Sequence, residues 1–175
     1  PFTGELWIER EDFEEIPPKG FRRLYPGNRV RLRYAFVVEC TGCDKDEEGR
    51  VVAVRARILP DSKSGTPGAD QYKVKGAIHW LSIEHALAAE IRLYDRLFTE
   101  PQPDAVEGGY LAALNPDSVR IVQGFVEPGL ADIAPETRLQ FERHGYFVPD
   151  RVDHRPGAPV FNRAVTLKDS WARRR

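Results

Sequence analysis

The run Arg29-Val-Arg-Leu-Arg-Tyr-Ala-Phe-Val-Val38 opens with guanidinium and apolar side chains in alternation, and it constrains the fold more than any other stretch. Successive side chains of a strand point to opposite faces, so Val30 and Leu32, with Tyr34 a candidate, fall on a core face and Arg29, Arg31 and Arg33 on the other. Similar short runs recur at Val51–Ile58, Lys73–Trp80 and Val119–Val126. Between them stand the turn signals Tyr25-Pro-Gly-Asn28, Asp46-Glu-Glu-Gly49, Asn115-Pro-Asp-Ser118 and Glu127-Pro-Gly129. The pattern predicts a mainly β chain, with the Asp46–Gly49 turn closing an antiparallel hairpin between the first two runs. Pro60 to Asp70 has no periodicity and reads as an exposed loop. The segment Ser82 to Thr99 has helical propensity around His85 but alternates at Glu90-Ile-Arg-Leu93, which assigns it to a strand. Pro101 to Gly109, with two Pro and two Gly, is the best candidate for a boundary.

Length, 175 residues, allows one substantial domain or two small ones. The chain opens on Pro1 and has no Met, which suits a piece of a longer polypeptide. It has no apolar run near the roughly 18 residues of a membrane span and no signal-peptide pattern, so it reads as soluble and unexported. A net charge of −1 excludes a uniformly basic nucleic-acid binder, but the charge is unevenly placed. From Ile16 to Val38 there are Lys19, Arg22, Arg23, Arg29, Arg31 and Arg33 and no Asp or Glu. Arginines at alternate strand positions repeat every roughly 6.6–6.8 Å, close to the phosphate spacing of a nucleic-acid strand. Phe21, Tyr25 and Tyr34 lie among them, and aromatics between arginines suit either stacking of single-stranded bases or an ordinary core.

Cys40-Thr-Gly-Cys43 invites a redox or zinc reading, but two cysteines without a second pair cannot close a tetrahedral structural site. No metal site is expected. A His-x-Gly-His signature, a Lys-rich Ser-Lys loop and a Walker A loop are all missing from this sequence, so no catalytic residue is assigned.

Four blocks carry a family resemblance: Lys73-Val-Lys-Gly-Ala-Ile-His-Trp-Leu-Ser82, Glu90-Ile-Arg-Leu-Tyr-Asp-Arg-Leu-Phe-Thr99, Leu139-Gln-Phe-Glu-Arg-His-Gly-Tyr-Phe147 and Phe161-Asn-Arg-Ala-Val-Thr-Leu-Lys-Asp-Ser-Trp171. In content and order they resemble the C-terminal anticodon-binding region of glutaminyl-tRNA synthetase, and matching extends from Phe2 to Trp171. The resemblance implies two β-barrels: a distal one over residues 10–97 and part of a proximal one from 1–9 and 98–175, the latter lacking its opening strands. It implies that the chain grips the anticodon loop of tRNA(Gln), attached to a catalytic domain of the same polypeptide that uses ATP and magnesium to charge glutamine. It also implies a monomeric cytoplasmic enzyme.

Residue by residue, Arg22 and Arg23 match the basic pair at the third anticodon nucleotide, a G in glutamine tRNAs, and Arg31 matches the arginine near the first, with Arg33 beside it. Gln140 matches the glutamine at the middle uridine, Arg143 its supporting arginine, and Lys168 a backbone contact. Gly20 stands where a Gln-like side chain is expected, Arg22 where Lys is usual, and Tyr34 where Asn is common. Two rivals are an archaeal or eukaryotic-type glutamyl-tRNA synthetase, which shares the barrels, and a stand-alone RNA-binding barrel protein.

Overall fold

The computed structural model describes residues 1–167. Among these the chain is mainly β, as expected, with eleven strands and only short 3-10 turns between them. Residues Pro1–Glu84 form one compact unit, and a second begins at His85.

The first unit contains β1 (Leu6–Trp7), β2 (Arg29–Leu32), β3 (Val37–Lys45), β4 (Val51–Leu59), β5 (Ala77–Ile78) and β6 (Leu81–Ser82). A four-stranded sheet runs β4-β3-β2-β5, and β1 pairs separately with β6. The Asp46–Gly49 turn closes the β3–β4 hairpin, as its sequence demands: Asp46 Oδ1 accepts the N–H groups of Glu48 and Arg50 at 3.1 and 2.8 Å. Val30, Leu32, Val38, Cys40 and Ile78 face inward and pack with Phe13 and Leu24. Each such side chain contributes about 1.5–3 kcal/mol on burial.

The expected single strand from Arg29 to Val38 is two strands. The chain reverses after Leu32, where the Ala35 N–H bonds to the Leu32 carbonyl and the Leu32 N–H to the Phe36 carbonyl, both at 2.8 Å. Tyr34 occupies the reversal with φ 59°, and it is 80% exposed instead of joining the core face. Arg33 therefore sits on a turn and does not share a strand face with Arg31. Pro60 to Asp70 is also more ordered than an open loop: 3-10 turns at Pro60–Ser62 and Ala69–Gln71 bury Ser62 and Ala69.

The second unit contains β7 (Leu87–Tyr94), β8 (Val119–Val126), β9 (Leu139–Phe141), β10 (Gly145–Pro149) and β11 (Val160–Val165) in one sheet, ordered β8-β7-β11-β10-β9. Of the 82–99 segment read as a strand, Leu87–Tyr94 is one and 83–85 form a turn before it; the Val119–Val126 run is a strand as read. Pro101–Gly109 lies in the connection between β7 and β8, whose ends are drawn together by Thr99 N–H to Ala113 O and Asn115 N–H to Leu97 O. Phe147, Phe161, Ala89 and Val126 form the core, with Phe141 stacked on Phe147 at 4.5 Å.

A polar network ties three segments of this unit. Arg92 on β7 meets Glu90 at 2.7 Å, Asp153 at 2.7 Å and Asp150 at 3.4 Å. Asp150 accepts the N–H groups of Val152 and Asp153 and, at 2.6 Å, the Asn162 side-chain amide. These donors, with the Arg92 charge, lower its pKa to about 2.

Candidate nucleic-acid interface

Three arginines of the first unit, Arg22, Arg31 and Arg33, are positioned by one segment, Gly76–Trp80. The Arg31 N–H donates to the Gly76 carbonyl at 2.9 Å, the Arg33 N–H to Ile78 O at 3.0 Å, and the Trp80 indole N–H to Arg33 O at 2.9 Å. On the other side, the Arg22 backbone lies so close to Gly76 that a Cβ there would meet the Arg22 carbonyl oxygen at 1.8 Å. Gly76 has no side chain, and that absence lets the segment bearing Arg22 and Arg23 come alongside β2 and β5.

The arginines then divide by what their guanidinium groups touch. Arg22 is exposed and has no side-chain partner among the described residues. Arg23 donates to the Glu11 carbonyl at 3.1 Å and pairs with the fully buried Asp12 at 3.2 Å, while Asn28 Nδ2 donates to the Arg23 carbonyl at 2.8 Å. Arg31 is a clamp. Its guanidinium donates to Ala35 O (3.3 Å), Ser62 O (2.7 Å), Ser64 Oγ (3.1 Å) and Ala69 O (3.2 Å), fastening the 60–71 segment to β2. Beside it opens a shallow cleft of about 390 Å3 whose lining includes Ser64, Asp70, Tyr72 and Lys73. Arg33 reaches over the Tyr34 ring, 5.8 Å from its centroid. Arg29 and Arg57 both pair with Glu39, at 2.7 and 3.2 Å, and the Arg29 hydrogen bond holds the Glu39 carboxyl below the usual range. The acid-free run 16–38 is thus partly neutralised by acids from outside it, while Arg22 keeps its guanidinium exposed.

In the second unit, Gln140 projects from β9 and is exposed, directly opposite Tyr146 on β10. Tyr146 is itself 45% exposed, so an amide and a phenol ring stand side by side, offering hydrogen bonding and a stacking surface. Arg143 occupies the turn between these strands at φ 69° and is exposed. Gly145 closes the turn against β11, where any Cβ would fall 2.3 Å from the Val165 carbonyl oxygen. Lys168 lies outside the described residues.

Sequence reasoning passed over Tyr146, Gly76 and Trp80 as site-building residues. Tyr146 becomes visible only through the β9–β10 register, and Gly76 and Trp80 act through backbone contacts that leave no pattern in a single sequence. Cys40 and Cys43 are unbridged; Cys40 is a core residue, and burial raises its thiol pKa. Among the described residues no three His, Cys, Asp or Glu side chains are grouped to hold a metal ion.

An exposed arginine beside immobilised backbone in the first unit, and an amide opposite an aromatic ring in the second, are each chemistry suited to contact with unpaired bases. Two family models match the chain, at residues 1–59 and 77–150, and both describe the anticodon-binding domain of class I tRNA synthetases for glutamate and glutamine. The chain belongs to this family of anticodon-binding domains. It is 66% identical over 173 residues to a glutamine–tRNA ligase of Ralstonia nicotianae, covering 99% of this chain and 30% of that protein. It is 58% identical over 171 residues to a glutamine–tRNA ligase of Bordetella pertussis, covering 98% of this chain and 29% of that protein. The chain therefore spans about three-tenths of the length of the curated relatives it matches.

Proposed function

We propose that this chain is the anticodon-recognition part of a glutamine–tRNA ligase, and that it gives the longer enzyme its specificity for tRNA(Gln). The observation that carries the reading is the arrangement around Gly76, which fixes the backbone of Arg22 while leaving its guanidinium exposed. An arginine fork can pair with the O6/N7 edge of guanine, the base expected at the third anticodon position. Arg23, braced on Asp12, holds that segment in place. Arg31 shapes the cleft beside β2 for the first nucleotide, with Arg33 next to it, and Gln140 offers its amide to the middle uridine, Arg143 supporting it and Lys168 contacting the backbone.

The two units correspond to the distal barrel and part of the proximal barrel. The sequence-based division at 10–97 places β7 in the distal barrel, whereas its pairing with β8 and β11 supports a return to the proximal barrel near Glu84. Glutamine activation, with ATP and magnesium, belongs to a catalytic domain of the longer protein, a cytoplasmic monomer in this reading. No helix among the described residues is long and apolar enough to cross a membrane.

The glutamyl alternative shares the family models, whose description names both amino acids; the names of the relatives favour glutamine. The test is aminoacylation by the full-length protein, offering glutamine and glutamate with each tRNA. Charging of tRNA(Gln) with glutamine, and a much lower kcat/KM once its third anticodon G is changed to C, is expected. Charging with glutamate, or none by a folded full-length protein, would overturn the reading and favour the glutamyl or the stand-alone alternative respectively.

A further inference from the structure

We propose that Tyr34 is a stacking platform for an unpaired base of the bound RNA loop, and that it supplies affinity without reading base identity. The proposal rests on the anticodon-grip reading above and adds a contact that reading does not contain.

Tyr34 holds φ 59°, a left-handed conformation that bulky side chains rarely adopt and that is held only when surrounding structure enforces it. Hydrogen bonds at 2.8 Å on either side, Ala35 N–H to Leu32 O and Leu32 N–H to Phe36 O, enforce it. The ring adds nothing to the hydrophobic core that Leu32 and Ala35 enter: Tyr34 is 80% exposed, and the Arg33 guanidinium carbon lies 5.8 Å from its ring centroid. A strained backbone that presents a largely exposed aromatic ring to solvent is a poor structural choice and a good binding one.

The platform is also held by its neighbour and carries a cation over the ring. Arg33 is fixed at its N–H by Ile78 O and at its carbonyl by the Trp80 indole, and its guanidinium carbon lies 5.8 Å from the Tyr34 ring centroid. A flat ring with a guanidinium over part of it suits a nucleotide base, which can stack on the exposed remainder of the ring. Every base has a π face, so such a contact tolerates sequence change.

The test uses full-length protein as wild type, Tyr34→Asn and Tyr34→Phe. Asn adopts the left-handed region readily, so the first variant keeps the turn and should melt no lower than wild type. Binding is measured to a glutamine tRNA transcript, to its third-nucleotide G-to-C counterpart, and to transcripts with 2-aminopurine placed singly through the anticodon loop. Tyr34→Asn should weaken both unlabelled transcripts by the same factor, roughly 5- to 100-fold, and relieve the fluorescence quenching at one loop position. Tyr34→Phe should preserve both. Wild-type affinity and quenching in Tyr34→Asn, with Arg22→Ala still losing discrimination, would overturn the Tyr34 proposal alone. A loss confined to one transcript would overturn the claim that Tyr34 ignores base identity. Absence of RNA binding by wild type would overturn the grip reading and this proposal together.

Discussion

Gly76 and Arg22 pack backbone against backbone: a Cβ on Gly76 would lie 1.8 Å from the Arg22 carbonyl oxygen. One missing side chain in the Lys73–Trp80 block thereby sets where the exposed guanidinium of Arg22 is presented.

Substituting Gly76→Ala must push the Arg22 segment away, because the obstructing atom is backbone and cannot rotate aside. The expected costs are about 1–3 kcal/mol of stability in the first unit, as for an overpacked core, and a weaker preference for G over C at the third anticodon position. Denaturant melts and paired tRNA binding measure the two. Unchanged stability would show that the two segments separate without penalty.

Arg31→Ala removes donors to three carbonyls and one hydroxyl, and its first consequence should be local. Amide hydrogen exchange within residues 62–71 should accelerate, and stability should fall by about 1.5–3 kcal/mol, the range for a hydrogen bond from a charged donor. Arg31→Lys should rescue little of this, because an ammonium cannot reproduce the planar fork that spans Ser62 and Ala69.

Asp150 gives the second unit a defined acid limit. Its folded pKa, lowered to about 2, lies below the ordinary 3.8, so its contribution is fully present above about pH 4 and is lost as pH falls toward 2. The loss should amount to about 1–2 kcal/mol between pH 4 and pH 2. Asp150→Asn cannot lose a charge, so its stability should be lower than wild type at pH 6 and the gap should narrow by pH 2. Parallel curves would show that Asp150 does not set the acid response.

Cys40 and Cys43 should separate cleanly. Cys40→Ser places a hydroxyl among Val38, Phe13 and Leu24 and should cost about 1–3 kcal/mol, whereas Cys43→Ser, on a partly exposed position, should cost little. Loss of stability in a double Ser variant therefore does not indicate a metal, and direct metal analysis of the wild-type protein decides that question.

The strands with turn residues at both ends were legible from sequence: Val119–Val126 was read with its observed bounds, and Asp46–Gly49 was read as the turn it forms. The reversal at Arg33-Tyr34-Ala35 was not, because it contains no Gly, Pro or Asn, and the alternation of Arg29–Arg33 passes directly into the apolar stretch Tyr34–Val38. A period of two cannot distinguish one long strand from two short ones whose faces stay in phase. The roles of the arginines were similarly hidden. Arg22, Arg23 and Arg31 look alike in the chain, and they diverge only because Asp12 reaches one of them and the carbonyls of Ser62 and Ala69 another.

The measurement that bears most directly on the central claim is equilibrium binding of the full-length protein to a glutamine tRNA transcript and to the same transcript with its third anticodon G replaced by C, for wild type, Arg22→Ala and Arg23→Ala. Wild type should prefer G by about 1–3 kcal/mol, Arg22→Ala should bind both alike, and Arg23→Ala should chiefly lower thermal stability. Equal binding of both transcripts by wild type, or full discrimination by Arg22→Ala, would contradict the account.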